Sequence, residues 1–320
     1  MINQNKIVIG IRDSKLSNVQ TGEFISFASN NIEGINADSF EIKYIKTTGD
    51  IKNSERLDKI GGKGLFIKEI EESIISGEID IGVHSMKDIP AVNPSDLEIC
   101  CYMPRIESSD VFISNSGKTL KEIESGSTIG TSSIRRRAQL LNCRRDLNIK
   151  LLRGNVDTRL KKLKNKEFDA IILAYAGLKR LNLENEITEV FDHKHFLPPG
   201  GQGCVGIQSL SKSSYRDMFK NINCKITETT VRAEREVLKT MNANCNSPVC
   251  VAATINNQSI RIQCQIFNHN GEIIFNETMQ GEEDQSRNIG KNLGALAIQR
   301  LGQNIIDQLD NLSDDFNYSP

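Results

Sequence analysis

Two segments of this chain bring together the groups that hold an anion. One is Gly130, Thr131, Ser132, Ser133, Ile134, Arg135, Arg136 and Arg137. The other, a short way downstream, is Leu152, Arg153, Gly154, Asn155, Val156, Asp157, Thr158 and Arg159. Each reads as a strand ending in small polar residues that open a helix, with arginines in or beside the first turn. A helix start offers unpaired N–H groups and the positive end of the helix dipole. Guanidinium forks add a bidentate grip on carboxylate or phosphate. Two such starts near one another predict a ligand with several negative groups. Arg12 and Ser14 repeat the arrangement at an earlier strand-to-helix turn, with Lys15 beside them, and Arg180 lies on a helix after a further strand. Arg137 is expected to point to solvent, because three consecutive helical positions do not share one face.

Two further groups could do proton or covalent chemistry. Asp88 follows Lys87 at the expected end of a buried strand, where a carboxylate can move a proton or stabilise a cation. Cys245 occupies the polar loop from Met241 to Pro248, where an accessible thiolate is a nucleophile or an attachment point. Cys250 opens a strand and reads as packing. None of the eight cysteines forms a C-x-x-C pair, so free thiols are expected and a structural zinc site is not. His193 and His195, in a charged loop, read as solvent-facing. Gly61-Gly62-Lys63-Gly64 has no Ser or Thr after the lysine, so it is not a nucleotide phosphate loop. The polar stretch from Thr47 to Gly64 reads as a lid.

The elements that must position these groups alternate. Lys6–Ile11 is an apolar strand, and Leu16, Val19, Phe24, Phe27 and Ala28 then recur at helical spacing. Phe40–Tyr44 alternates as a strand, Leu65–Ile75 reads as a helix stopped by Gly77, and Ile79–Val83 is the next strand. This order predicts βαβ units in a largely parallel sheet, with chemistry at the carboxyl ends of its strands. A second α/β block runs from about Asp110 to Leu197, with strands Val111–Ser114, Thr128–Gly130, Asn148–Leu152 and Asp169–Ala174. The turn Leu197–Gly203 crosses out of it, and the strand Cys204–Ile207 is expected to return to the first sheet. Beyond Cys224 a helix (Glu228–Met241), three strands (Val249–Ile255, Ile260–Phe267, Ile273–Met279) and a terminal helix from Asp284 to Leu309 make a small α+β domain. Asn270-Gly271 marks its hairpin.

Composition bounds the function. The formal net charge is -1, so the positive charge at these helix starts is local, and a general nucleic-acid binder is disfavoured. Hydrophobic residues make up 38% and charged residues 25%, a mix that suits a soluble protein of two or three domains. No apolar run approaches the roughly eighteen residues of a membrane span. Met1 lies almost directly before the first strand, which predicts no leader peptide and a cytoplasmic protein.

Taken in order and spacing, Gly61–Phe66, His84–Asp88, Gly130–Arg136, Leu152–Arg159, Ala170–Leu181 and Gly201–Gly203 resemble the porphobilinogen deaminase (hydroxymethylbilane synthase) family. The resemblance implies an α/β fold of two periplasmic-binding-protein-like domains with a cleft between them, plus a small C-terminal α+β domain. The boundaries it implies are 1–104 with 203–222, 105–202, and 223–320. It implies a transferase of tetrapyrrole (heme) biosynthesis that condenses four porphobilinogen molecules into hydroxymethylbilane, releasing ammonia at each addition. The implied cofactor is dipyrromethane, joined by a thioether to Cys245. Asp88, with Lys87, would be catalytic, stabilising cationic azafulvene-like intermediates as a buried carboxylate can. Ser14, Lys87, Asp88, Thr131, Ser132, Ser133, Arg135, Arg136, Gly154 and Arg159 would hold the cofactor. Arg12, Ser14, Arg153, Arg159, Arg180, Gln202 and Gly203 would hold substrate, and Lys59, Lys63 and Phe66 would belong to the lid. The family further implies a monomer with porphobilinogen as its small-molecule partner, and no nucleic acid, membrane or metal.

The sequence departs from the family where Ala243-Asn244, instead of Gly-Gly, precede Cys245, and where Lys15 replaces a usual proline. Asparagine tolerates left-handed backbone angles, so the turn can survive. Two other classes compete. A two-lobed anion-binding protein would share the arginines but have no need of Asp88 or Cys245. A thiol enzyme using Cys245 transiently would want a histidine base, and His193, His195 and His269 show no triad pattern.

Overall fold

The computed structural model describes residues 6–48, 67–244 and 247–309. The described parts of Met1–Ile106 and Cys204–Glu228 form one compact unit. Those of Glu107–Gly203 and Thr229–Pro320 form a second. The calls on Lys59, Lys63, Phe66 and Cys245, and most of the expected lid, lie outside the described residues.

The first unit is built on a five-stranded sheet. Its strands are β1 (Ile7–Arg12), β2 (Phe40–Ile45), β3 (Ile81–Ser85), β4 (Leu97–Tyr102) and β10 (Val205–Leu210), in the order β2-β1-β3-β10-β4. β1 pairs parallel with β2 and β3, as the alternating pattern predicts. The return strand β10 joins this sheet, as expected, but antiparallel to both β3 and β4. The sheet is therefore mixed rather than largely parallel, and β4 has no counterpart in the sequence reading. β3 and β10 are buried along nearly their whole length, so they lack the alternation that marks a one-sided strand.

Helix α1 (Lys15–Asn31) starts where the sequence places it, because the Ser14 hydroxyl accepts from Ser17 N–H at 3.1 Å. Its inward face buries Thr21, Phe24 and Ala28. Phe24 is fully buried and meets Phe40 and Phe219 edge-on, at ring separations of 6.0 and 5.2 Å. Helix α2 (Lys68–Ile75) packs Ile70 and Ile74 beside Ile79 and Leu97. Phe24→Ala is expected to remove about 3–5 kcal/mol of unfolding free energy, read as a lower urea midpoint at unchanged slope.

The second unit holds two sheets. The larger, ordered β7-β6-β8-β5-β9, uses β5 (Asp110–Ser114), β6 (Thr128–Gly130), β7 (Asn148–Lys150), β8 (Ala170–Ala174) and β9 (Glu189–Val190). β6 is parallel to β7 and β8, whereas β5 is antiparallel to β8 and β9, so this sheet too is mixed. Helices α3 (Ile134–Cys143), α4 (Val156–Lys164) and α5 (Tyr175–Arg180) follow β6, β7 and β8. A further short helix, α6 (Ser214–Lys220), belongs to the first unit, and α7 (Lys225–Thr240) leads toward the C-terminal sheet.

That sheet is antiparallel, β11 (Val249–Asn256), β12 (Ser259–Phe267) and β13 (Ile273–Glu282). The hairpin at Asn270-Gly271 is present, with Gly271 at φ +80°. Its turn is shaped by the Asn268 side chain, which accepts from Asn270 N–H and Glu272 N–H. The terminal helix is interrupted at Gly302, φ +83°, into α8 (Ser286–Leu301) and α9 (Gln303–Leu309). Leu293 and Ala297 of α8 pack with Val237, Val251 and Ile262 in the core of this layer. Among the described residues of the loop after α7, Asn242 is left-handed, φ 55°, two positions before Asn244.

Candidate functional site

In the first unit, parallel pairing of Ile9 with Ile81 and Gly10 with Gly82 brings the β1 and β3 carboxyl ends to one edge of the sheet. Arg12 and Ser14 leave β1 there, and the single 3-10 turn Met86–Asp88 leaves β3. Gln20 Nε2 of α1 donates to Ser85 Oγ at 2.8 Å and ties the two turns together. Met86 is buried, Lys87 half-buried and Asp88 exposed. Asp88 is thus not the buried carboxylate the resemblance led us to expect, because the 3-10 turn swings it outward after Met86 has taken the core position. Ser14 spends its hydroxyl on the α1 cap, and Lys15 is exposed.

Behind this edge sits His84, 5% exposed. Burial pushes its imidazole down to about 4, and the nearby Gln208 side chain opposes that shift only in part. Gln208 Nε2 in turn donates to Glu71 Oε1 at 2.9 Å. Gly82 leaves the ring its space, since a Cβ there would lie 2.5 Å from His84 Nε2. The unfolded histidine takes a proton near pH 6.5 and the folded one only near 4, so the unfolded state binds more protons between those values. Stability contributed by neutral His84 is therefore complete above about pH 6.5 and lost as pH falls toward 4. The loss amounts to roughly 3 kcal/mol. His84→Gln is expected to flatten that part of the stability–pH curve, measured by urea unfolding from pH 4 to 7.

In the second unit, β6, β7 and β8 run parallel, so Thr131, Arg153 and Tyr175 all leave one edge. The turn into α3 is held by Thr131, whose Oγ1 accepts from Ser133 N–H at 3.1 Å, while the Ser133 hydroxyl caps Arg136 N–H. Leu152 N–H donates to Thr131 O, which joins the two helix starts. Arg159 strengthens that junction, its Nε donating to Gly154 O at 2.7 Å and its Nη2 to Ser132 Oγ at 3.4 Å. Gly154 sits at φ +111°, and a Cβ would press to 2.7 Å from Thr158 Cγ2, so this turn needs glycine.

Arg135 and Arg136 face inward, 4% and 6% exposed, and not outward from the helix start. Both pair with Asp110, the fully buried first residue of β5, at 2.7 Å each. Burial alone would raise the Asp110 carboxyl, but the two guanidiniums hold it well below the usual carboxylate range. Removing one partner from such a buried cluster typically costs about 3–5 kcal/mol. Arg137, expected in solvent, is half-buried and donates to His269 O at 3.0 Å. The C-terminal hairpin packs beside α3 in the same unit, which a helical wheel alone does not reveal. Arg180 is buried and directs Nη1 and Nη2 at Gly203 O, 3.4 Å each. Gln202, 1% exposed, donates from Nε2 to Ser108 O at 2.6 Å and to Asp110 Oδ1 at 2.9 Å.

The structure therefore gathers Thr131, Ser132, Ser133, Arg135, Arg136, Arg153, Gly154, Arg159, Arg180, Gln202 and Gly203 in one unit. It gathers Arg12, Ser14, Lys87 and Asp88 in the other. Sequence reading missed Asp110 and Glu234, the latter a buried α7 carboxylate that accepts from Gly201 N–H at 2.7 Å and Ala253 N–H at 2.9 Å. Two adjacent arginines in one helix were the available signal, since one inward-facing guanidinium demands a buried counter-charge. Cys250 is fully buried, its thiol pushed up to about 12 by burial. Among the described residues, no group of three or more His, Cys, Asp or Glu could hold a metal, and no helix is long and apolar enough to cross a membrane.

A family model described as "Porphobilinogen deaminase, dipyromethane cofactor binding domain" matches residues 7–217, and "Porphobilinogen deaminase, C-terminal domain" matches residues 228–299. These matches define the class: a transferase that builds a pyrrole chain on a covalently held dipyrromethane. Proteins named porphobilinogen deaminase from Bacillus cereus (strain AH820) and Bacillus anthracis (strain A0248) are each 43% identical over 284 residues. In both cases the match covers 88% of this chain and 91% of the relative. The chain belongs to the porphobilinogen deaminase family. Its activity is the head-to-tail condensation of four porphobilinogen molecules into hydroxymethylbilane with release of ammonia, a step of porphyrin and heme biosynthesis. Among solved structures, the Bordetella pertussis BvgS periplasmic VFT2 domain matches at TM-score 0.42 and 11% identity, covering 68% of this chain and 86% of that one. A putative methionine-binding lipoprotein from Bacillus subtilis matches at TM-score 0.42 and 15%, covering 69% and 92%. At that score the likeness adds nothing to the assignment.

The donor set fits dipyrromethane. Arg135 and Arg136 share one carboxylate, leaving a buried excess of positive charge in the unit that also holds Arg153, Arg159 and Arg180. A polycarboxylate is the kind of group such a set accepts.

Proposed function

We propose that Cys245 carries the dipyrromethane through a thioether, in a three-domain chain divided at 1–104 with 203–222, 105–202 and 223–320. When bound, the cofactor supplies the end to which porphobilinogen is joined. Thr131, Ser132, Ser133, Arg135, Arg136, Gly154 and Arg159 hold its carboxylates, and Arg12, Ser14, Arg153, Arg180, Gln202 and Gly203 hold those of the substrate. Each pyrrole ring brings an acetate and a propionate, so several cations are needed and one would not suffice. The excess of buried guanidinium over carboxylate at Asp110 is the observation that carries this reading.

Asp88 is the catalytic carboxylate, with Lys87 beside it. As ammonia leaves porphobilinogen, positive charge is left on the pyrrole, and a fixed carboxylate lowers the energy of that charge. Lys87, the neighbour of Asp88 in sequence, is the group we assign to proton exchange with the departing amine. The lid role of Lys59, Lys63 and Phe66, the cytoplasmic location, and a monomer working without membrane or nucleic acid belong to the same proposal.

Peptide mapping after intact-mass measurement tests the anchor. The mass should exceed that of the sequence by two linked pyrrole units, and the excess should map to the peptide bearing Cys245. An adduct on Cys250, or a fully active unmodified chain, would sink this assignment.

A further inference from the structure

We propose that Asp110 is a positioning residue: it fixes the direction of Arg135 and Arg136, two of the three cofactor-binding arginines, and of the turn that carries Gln202 and Gly203. The inference rests on the reading that Arg135 and Arg136 take cofactor carboxylates. It adds a residue that touches neither cofactor nor substrate.

The geometry is that of one carboxylate holding three side chains. Asp110 Oδ2 accepts from Arg135 Nη2 at 2.7 Å. Oδ1 accepts from Arg136 Nη2 at 2.7 Å, from Arg136 Nε at 3.1 Å, and from Gln202 Nε2 at 2.9 Å. Each guanidinium is then gripped from a second side. Arg135 Nη1 donates to Leu197 O at 2.9 Å, and Arg136 Nη1 donates to Ile172 O at 3.0 Å. Leu197 is itself fixed by Gln139, which accepts from its N–H at 2.7 Å and donates to its carbonyl at 3.1 Å. A guanidinium has five N–H donors in a rigid plane. Two anchors per plane fix its orientation, which is what bidentate recognition of a carboxylate needs.

Charge supplies the second half of the inference. Two cations and one anion share a buried space, so the cluster is positive overall and attracts one further carboxylate. Without Asp110 the cations would repel each other and spread. Through Gln202 the same carboxylate reaches the turn whose Gly203 carbonyl receives Arg180. One residue thus orients three of the arginines assigned to binding.

The experiment compares cofactor loading in the full-length wild type, Asp110→Asn and Asp110→Glu, each purified from porphobilinogen-producing cells. Loading is read by intact mass, and folding by circular dichroism and thermal melting. Folded Asp110→Asn is expected to show at least a tenfold lower loaded fraction than wild type, an outcome that a merely structural role would not give. Folded and fully loaded Asp110→Asn overturns the proposal. If Asp110→Asn does not fold, Asp110→Glu decides, since it keeps the charge and moves the carboxylate by one methylene. Loading lowered threefold or more in folded Asp110→Glu supports positioning, and wild-type loading overturns it. If neither variant folds, the role is structural and the proposal fails. A wild-type chain found without the two-pyrrole mass refutes the cofactor reading itself, separately from Asp110.

Discussion

Cys245→Ala is expected to give a folded chain whose mass is that of the sequence alone, and whose turnover of porphobilinogen falls by at least about 10³-fold. A covalent anchor makes each addition effectively intramolecular, and effective molarities for such reactions reach ~10⁵ M or more, so even partial loss is large. Six of the seven other cysteines offer no ready replacement, Cys224 being the half-buried exception. Cys100, Cys101, Cys204, Cys250 and Cys264 are buried. Burial pushes the Cys100 thiol up to about 11 and the Cys250 thiol up to about 12. Cys143 is exposed but its thiol is also raised, by the part of it that packs against protein. A thiol held protonated is a poor nucleophile, so none of these attaches a pyrrole readily. Retained activity in Cys245→Ala, or a two-pyrrole adduct on another cysteine, would refute the anchor.

Asp88→Asn should lower kcat by roughly 10²–10³-fold, the usual effect of removing one electrostatic stabiliser of a developing charge. The amide keeps the shape and one acceptor oxygen but loses the negative charge. Because Asp88 is exposed at the end of its 3-10 turn, its replacement leaves the core intact. The melting temperature is therefore expected to stay within about 2 °C of wild type, as for surface substitutions away from special features. Steady-state kinetics with porphobilinogen, run beside a thermal melt, separates the two effects. A normal kcat would remove Asp88 from catalysis, whereas a lost melting transition would make it a structural residue.

These two variants probe groups that are legible in the sequence, and the reason is local. The turns at Arg12–Ser14, Thr131–Ser133 and Gly154 are strand ends followed by helix starts, and the serines cap N–H groups three positions away. Hairpin and helix stops are equally short-range, as at Gly271 and Gly302. Burial on both faces erased the alternation of β3 and β10, but their apolar runs still marked them as strands.

Strand direction was another matter. Antiparallel β10 pairs with β3 across more than a hundred positions of chain, and nothing in either segment encodes that partner. The arginines make the same point at higher resolution. Helical spacing told that Arg135, Arg136 and Arg137 could not share a face, but it sent Arg137 to solvent and did not show what the other two would meet. That outcome depends on Asp110, 25 and 26 positions away, and on the His269 carbonyl, 132 positions away. From its sequence alone this chain declares its family, its chemistry and the short turns that present its charged groups, because capping and turn formation are local. Tertiary structure alone decided that Arg135 and Arg136 are anchored inward on one buried carboxylate and that Asp88 faces out. Burial and counter-charge are properties of what the rest of the chain packs against a residue, and that is a long-range matter.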